Sequence, residues 1–164
     1  MTQQEQPRVM VKQAVVRERG WRQDDVMVSE VKALARRGCT FYRASNPARI
    51  DQQPVQYAVL PDGRVARAPT EVLRRFGDGA SADWWAQVIT RLGGARGTLV
   101  DEHAPSAIRK IHEAGAEWAP TLRRSAAGVS LAFYTVDYEL GGILHVQASL
   151  PAQGDLTVTA QKIA

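Results

Sequence analysis

Residues 128–163, GVSLAFYTVDYEL (128–140), GGILHVQASL (141–150) and PAQGDLTVTAQKI (151–163), decide the fold class. They hold three runs of strand-forming residues, Val129 to Leu140, Ile143 to Leu150 and Leu156 to Ile163. The runs break at Gly141-Gly142 and at Pro151-Ala152-Gln153-Gly154. In the second run Leu144, Val146, Ala148 and Leu150 share one face, and His145, Gln147 and Ser149 share the other. Leu156, Val158 and Ala160 repeat that alternation, the period-two signature of a strand with one buried face. The first run is apolar on both faces, Val129, Leu131 and Phe133 on one and Tyr134, Val136, Tyr138 and Leu140 on the other. Double-sided burial marks a central strand or a bulge. Short breaks between alternating runs predict a three-stranded antiparallel meander over 128–163.

Upstream the pattern mixes periods. Val55, Tyr57 and Val59 alternate, Pro61-Asp62-Gly63 supplies a turn and Arg64 to Arg67 returns, so a β-hairpin is expected over 55–67. Four helices are expected. Asp24 and Asp25 open the first, Met27, Val31 and Leu34 recur at helical spacing, and Arg36 and Arg37 precede a closing Gly38. The second carries Val72, Leu73 and Phe76, and ends at Gly77. Ser81 caps the third, whose stripe is Trp85, Ile89 and Leu92 with Trp84 and Val88 beside it. The fourth begins at Pro105 and buries Ala107, Ile108, Ile111 and Ala114. Short strands are expected at Thr40 to Arg43 and Thr98 to Val100, and residues 8–19 fit helix or strand equally. The architecture is therefore read as a flexible tail over 1–7 and a single α+β domain over 8–164.

The chain has 164 residues, 45% of them hydrophobic and 23% charged, so extensive disorder and collagen-like repeats are excluded. It contains no apolar run long enough for a membrane-spanning helix. Cys39 is the single cysteine, so no intrachain disulfide forms, and the polar N-terminus lacks the apolar stretch of a signal peptide. A cytoplasmic, bacterial protein is expected, and no membrane partner. The net charge of +4 is uneven: residues 1–50 carry ten Lys/Arg against five acids, and residues 128–164 carry one against three.

Catalytic signatures are missing: there is no phosphate-binding Gly-x-x-x-x-Gly-Lys loop, no Gly-x-Ser-x-Gly elbow and no His-Glu-x-x-His. Gly93-Gly94-Ala95-Arg96-Gly97 follows a helix, the wrong order for a phosphate cradle. Asp101, Glu102, His103, His112 and Glu113 are metal-ligand types, but His103 precedes Pro105 and nine residues separate the imidazoles, so no metal site is assigned. Cys39 reads as a small buried hydrophobe rather than a nucleophile. No cofactor is expected, and the balance leans away from an enzyme.

Three readings of function remain. The first is a small binding or accessory protein acting through protein contacts or self-association. Its site is the last strand, Leu156, Val158, Thr159 and Ala160, where only Lys162 guards an edge open to pairing. The second is nucleic-acid binding through Arg17, Arg19, Trp21, Arg22, Lys32, Arg36, Arg37 and Arg43, with Trp21 and Tyr42 as stacking groups. The third is a ligand or catalytic pocket over the sheet at Tyr134, Tyr138 and His145.

Overall fold

A computed structural model describes Thr2, residues 5–139 and residues 141–164. Leu140, the last residue of the first expected C-terminal strand, lies outside the described residues, as do Met1, Gln3 and Gln4 of the expected tail. The fold is α+β and divides into two compact units, Met1–Ala68 and Pro69–Ala164.

The first unit is a helix on a four-stranded antiparallel sheet. Helix α1 (Glu5–Arg19) starts inside the segment read as a tail. It is followed by β1 (Met27–Glu30), β2 (Thr40–Ser45), β3 (Val55–Val59) and β4 (Val65–Ala66), paired in sequence order. Residues 8–19 resolve to helix because Val11, Ala14 and Val15, at spacings of three and four, form one face. That face packs on Tyr42, Ala44, Val55, Tyr57 and Val59. The hairpin at 55–67 is present, with β3 and β4 as its arms.

The helix expected from Asp24 to Arg37 does not form. Its place is taken by single 3-10 turns at Gln23–Asp25 and Lys32–Leu34 on either side of β1. Met27, read as a core position, is 62% exposed, while its neighbour Val28 packs inward. Period two wins here because Val26 and Val28 meet a sheet that is already apolar.

The second unit contains α2 (Pro69–Phe76), α3 (Ala82–Arg91), β5 (Thr98–Leu99), α4 (Pro105–Glu113), β6 (Thr121–Ser125), β7 (Gly128–Asp137), β8 (Gly142–Pro151) and β9 (Thr157–Lys162). Four helices are thus described, although the first is α1 and not the one expected at 24–37. Strands β7, β8 and β9 form the expected meander, and β7 is central, flanked by β8 on one side and by β5 and β6 on the other. Helix α3 packs against β7 on the face of Leu131 and Phe133, where Trp84, Trp85, Val88 and Ile89 are buried. The Arg124 guanidinium, 5.7 Å above the Trp85 ring, ties β6 to that helix. Helix α4 covers one end of the opposite face, through Ala107 and Ile111 on Tyr134 and Ile143. No helix among the described residues is long and apolar enough to cross a membrane.

Candidate functional site

Strand β9 closes the sheet order β5-β7-β8-β9 and, among the described residues, pairs with β8 alone. The Ile163 N–H donates to the Ile143 carbonyl at 2.9 Å. Antiparallel pairing alternates hydrogen-bonded and non-hydrogen-bonded positions, so this bond sets the phase of the strand. Thr157, Thr159 and Gln161 turn their main-chain groups to β8, opposite Ser149, Gln147 and His145. Val158, Ala160 and Lys162 turn theirs outward. Thr159, Ala160, Gln161 and Lys162 are exposed, and Leu156 and Val158 are half-buried. The residue expected to guard the edge does not. A β-carbon at Gly142 would lie 2.8 Å from Lys162 Cε, so the lysine stem folds back over β8.

The remaining edges are shorter or occupied. Strands β4 and β5 have two residues each. At β1 the Arg8 side chain donates to the Val28 carbonyl at 2.9 Å, taking up an outward acceptor. Strand β6 carries Arg123 and Arg124, and Arg124 is held by the Gly77 and Ala80 carbonyls at 3.1 and 2.9 Å. Natural sheets blunt their edges with short strands and inserted charge, whereas β9 runs six residues and the stem of its one charged residue, Lys162, lies back over β8.

Beside β9 lies a shallow polar trough of about 460 Å³ on the sheet face that α4 leaves open. Pairing registers align Arg123, Ser130, Ser149 and Thr157 in one row, and Thr121, Ala132, Gln147 and Thr159 in the next. Strand β6 was not legible in the sequence, because of its five residues only Leu122 is apolar and none is fully buried. The next row holds Tyr134 and His145, whose rings stack at 4.8 Å. Two of the three expected pocket residues therefore meet. Tyr138 does not join them; it stands 77% exposed in the turn after β7. His103 and His112 each lie 3.5 Å from a carboxylate of their own, Glu102 and Glu117.

The basic surplus belongs to the first unit, where twelve Lys/Arg face seven acids over residues 1–68. The fold scatters it. Arg17 and Arg19 end α1 and Arg22 follows it, beside Trp21, whose indole N–H donates to Gln52. Arg36 and Arg37 lie at the other end of the sheet, next to Pro61, near which α1 brings Met10. Nine residues of helix separate Met10 from Arg19, about 13 Å. Arg43 points away from α1, on the face opposite Tyr42. Trp21 and Tyr42 are 4% and 3% exposed and pack in the core, so neither offers a ring face to a base. Cys39 is fully buried and closes a two-residue turn with Arg36. No family model, no curated protein and no solved structure matches the chain.

Proposed function

We propose that the protein is a binding module that associates with another protein chain by adding a strand to β9. One observation carries the reading: the outward N–H and C=O groups of Val158, Ala160 and Lys162 run along an exposed edge that no side chain among the described residues blocks. In strand addition, main-chain bonds supply affinity and alternate side chains supply selectivity. Here the alternating contacts are Thr157 and Thr159 toward the polar trough, with Gln161 on the same face, and Val158 and Ala160 on the other face, with Leu156 just before the strand. The nucleic-acid reading has less support, since its basic residues are dispersed and its aromatic groups are buried.

The test is the full chain against Ala160→Pro. Proline removes an outward N–H and leaves the β8 ladder whole, so the monomer fold survives. Native mass spectrometry of tagged protein purified from its own cell is expected to show an assembly in the parent chain that Ala160→Pro lacks. An identical set of species for both proteins contradicts the reading.

A further inference from the structure

Resting on the strand-addition reading, we infer that the partner strand is β9 of a second copy of this chain, paired antiparallel about a two-fold axis at Thr159. A two-fold that joins two edges into one sheet stands normal to the sheet and keeps each face on its own side. Facing residues must then share the same side of the pleat, so an even-numbered residue faces an even one. The outward groups of β9 sit on even positions, Val158, Ala160 and Lys162. Self-pairing satisfies the rule automatically.

Three centres are available, and the side chains separate them. With the axis at Thr159, Val158 faces the copy's Ala160 and Thr157 faces the copy's Gln161, and Leu156, just before the strand, stands opposite the copy's Lys162. Apolar groups meet apolar ones and polar groups meet polar ones along 157–161. An axis at Ala160 sets Val158 against the charged Lys162 and Thr157 against Ile163, so apolar residues meet charged or polar ones. An axis at Val158 sets Lys162 against Gly154, which has a φ of 114° in the bend before the strand and is not extended. Charge agrees. Lys162 is the one charged residue of β9, and antiparallel pairing carries the two lysines to opposite ends, so no like charges face each other. Half-buried Val158 and small, exposed Ala160 present no bulk at the seam.

The centre position makes the inference measurable by cross-linking. Thr159 and its copy form a non-hydrogen-bonded pair with Cα atoms about 4.5 Å apart, inside the disulfide range of about 4.4–6.8 Å. Copies of Val158, or of Ala160, lie two residues out of register and about 8 Å apart, beyond that reach. Thr159→Cys, Val158→Cys and Ala160→Cys are made singly in the full chain, with buried Cys39 left in place, and oxidised with glutathione disulfide. Thr159→Cys is expected to form a covalent dimer at least about 10-fold faster than the other two. Equal rates, a faster Val158→Cys or Ala160→Cys, or a monomeric parent chain with no Thr159→Cys dimer each overturns the inference. The two levels come apart in one comparison. A monomeric purified chain whose cellular assembly is still lost in Ala160→Pro removes the second copy and leaves strand addition standing. A monomer with no assembly lost removes both.

Discussion

Ile163 donates its backbone N–H to the Ile143 carbonyl, and that bond decides which amides of β9 face solvent. The consequence is a split between adjacent prolines. Ala160→Pro deletes an outward N–H, whereas Thr159→Pro deletes one committed to β8 opposite Gln147. Thr159→Pro is expected to be less stable than Ala160→Pro by roughly 1–3 kcal/mol, the penalty of an orphaned ladder acceptor. Urea midpoints of the two variants measure it. Equal midpoints mean the phase is wrong.

Arg37 has a φ of 49° at the tip of the two-residue turn that Arg36 and Cys39 close. Gly38 follows with a φ of 83°, so both central residues are left-handed, the geometry that Asn-Gly fills at low cost. Arginine has no local hydrogen bond to offset its crowded β-carbon there. Arg37→Asn is expected to raise stability by about 1 kcal/mol, read as a higher denaturation midpoint. A lower midpoint contradicts the strain.

The Tyr57 hydroxyl donates to Glu18 at 3.0 Å, and Glu18 also accepts from Arg67 at 2.6 Å. Burial of the phenol, and then its bond to Glu18, push its pKa well above the ordinary value. The unfolded chain releases that proton near pH 10 while the folded chain keeps it. The stabilisation is thus intact below about pH 10 and lost as pH climbs from there through the raised folded value. Tyr57→Phe should flatten the alkaline fall in stability above about pH 10. An unchanged slope removes Tyr57 as its source.

Gly77 receives the Trp85 indole N–H at 2.9 Å and Arg124 at 3.1 Å on its carbonyl. A β-carbon there would stand 2.4 Å from the Leu73 carbonyl and 2.5 Å from the Trp85 ring. Because backbone and a buried indole cannot yield cheaply, Gly77→Ala is expected to cost on the order of 1–3 kcal/mol. Thermal unfolding with tryptophan fluorescence reports both the loss and the displaced ring.

The elements legible in the sequence are those whose own residues carry the period. Leu144, Val146, Ala148 and Leu150 announce β8, and the Ser81 hydroxyl caps α3 by accepting the Trp84 N–H as its position suggested. Where the deciding contacts lie elsewhere in the chain, local pattern misleads. Met27, Val31 and Leu34 keep helical spacing by coincidence, and Val28 shows the true phase only against β2. Strand β6 exists because β7 has a free flank, which no feature of Thr121–Ser125 records. The open edge of β9 was visible as a long, nearly uncharged run. Its outward phase and the folded-back Lys162 were not, since both depend on register with β8.

Amide hydrogen exchange at Val158, followed over a range of protein concentrations, tests most directly whether the β9 edge pairs with a second copy. Exchange at Val158 is expected to slow as concentration rises, approaching the protection of Thr157, Thr159 and Gln161, and to lose that dependence in Ala160→Pro. A Val158 amide that exchanges freely at every concentration, while its three neighbours stay protected, contradicts pairing of β9 with a second copy.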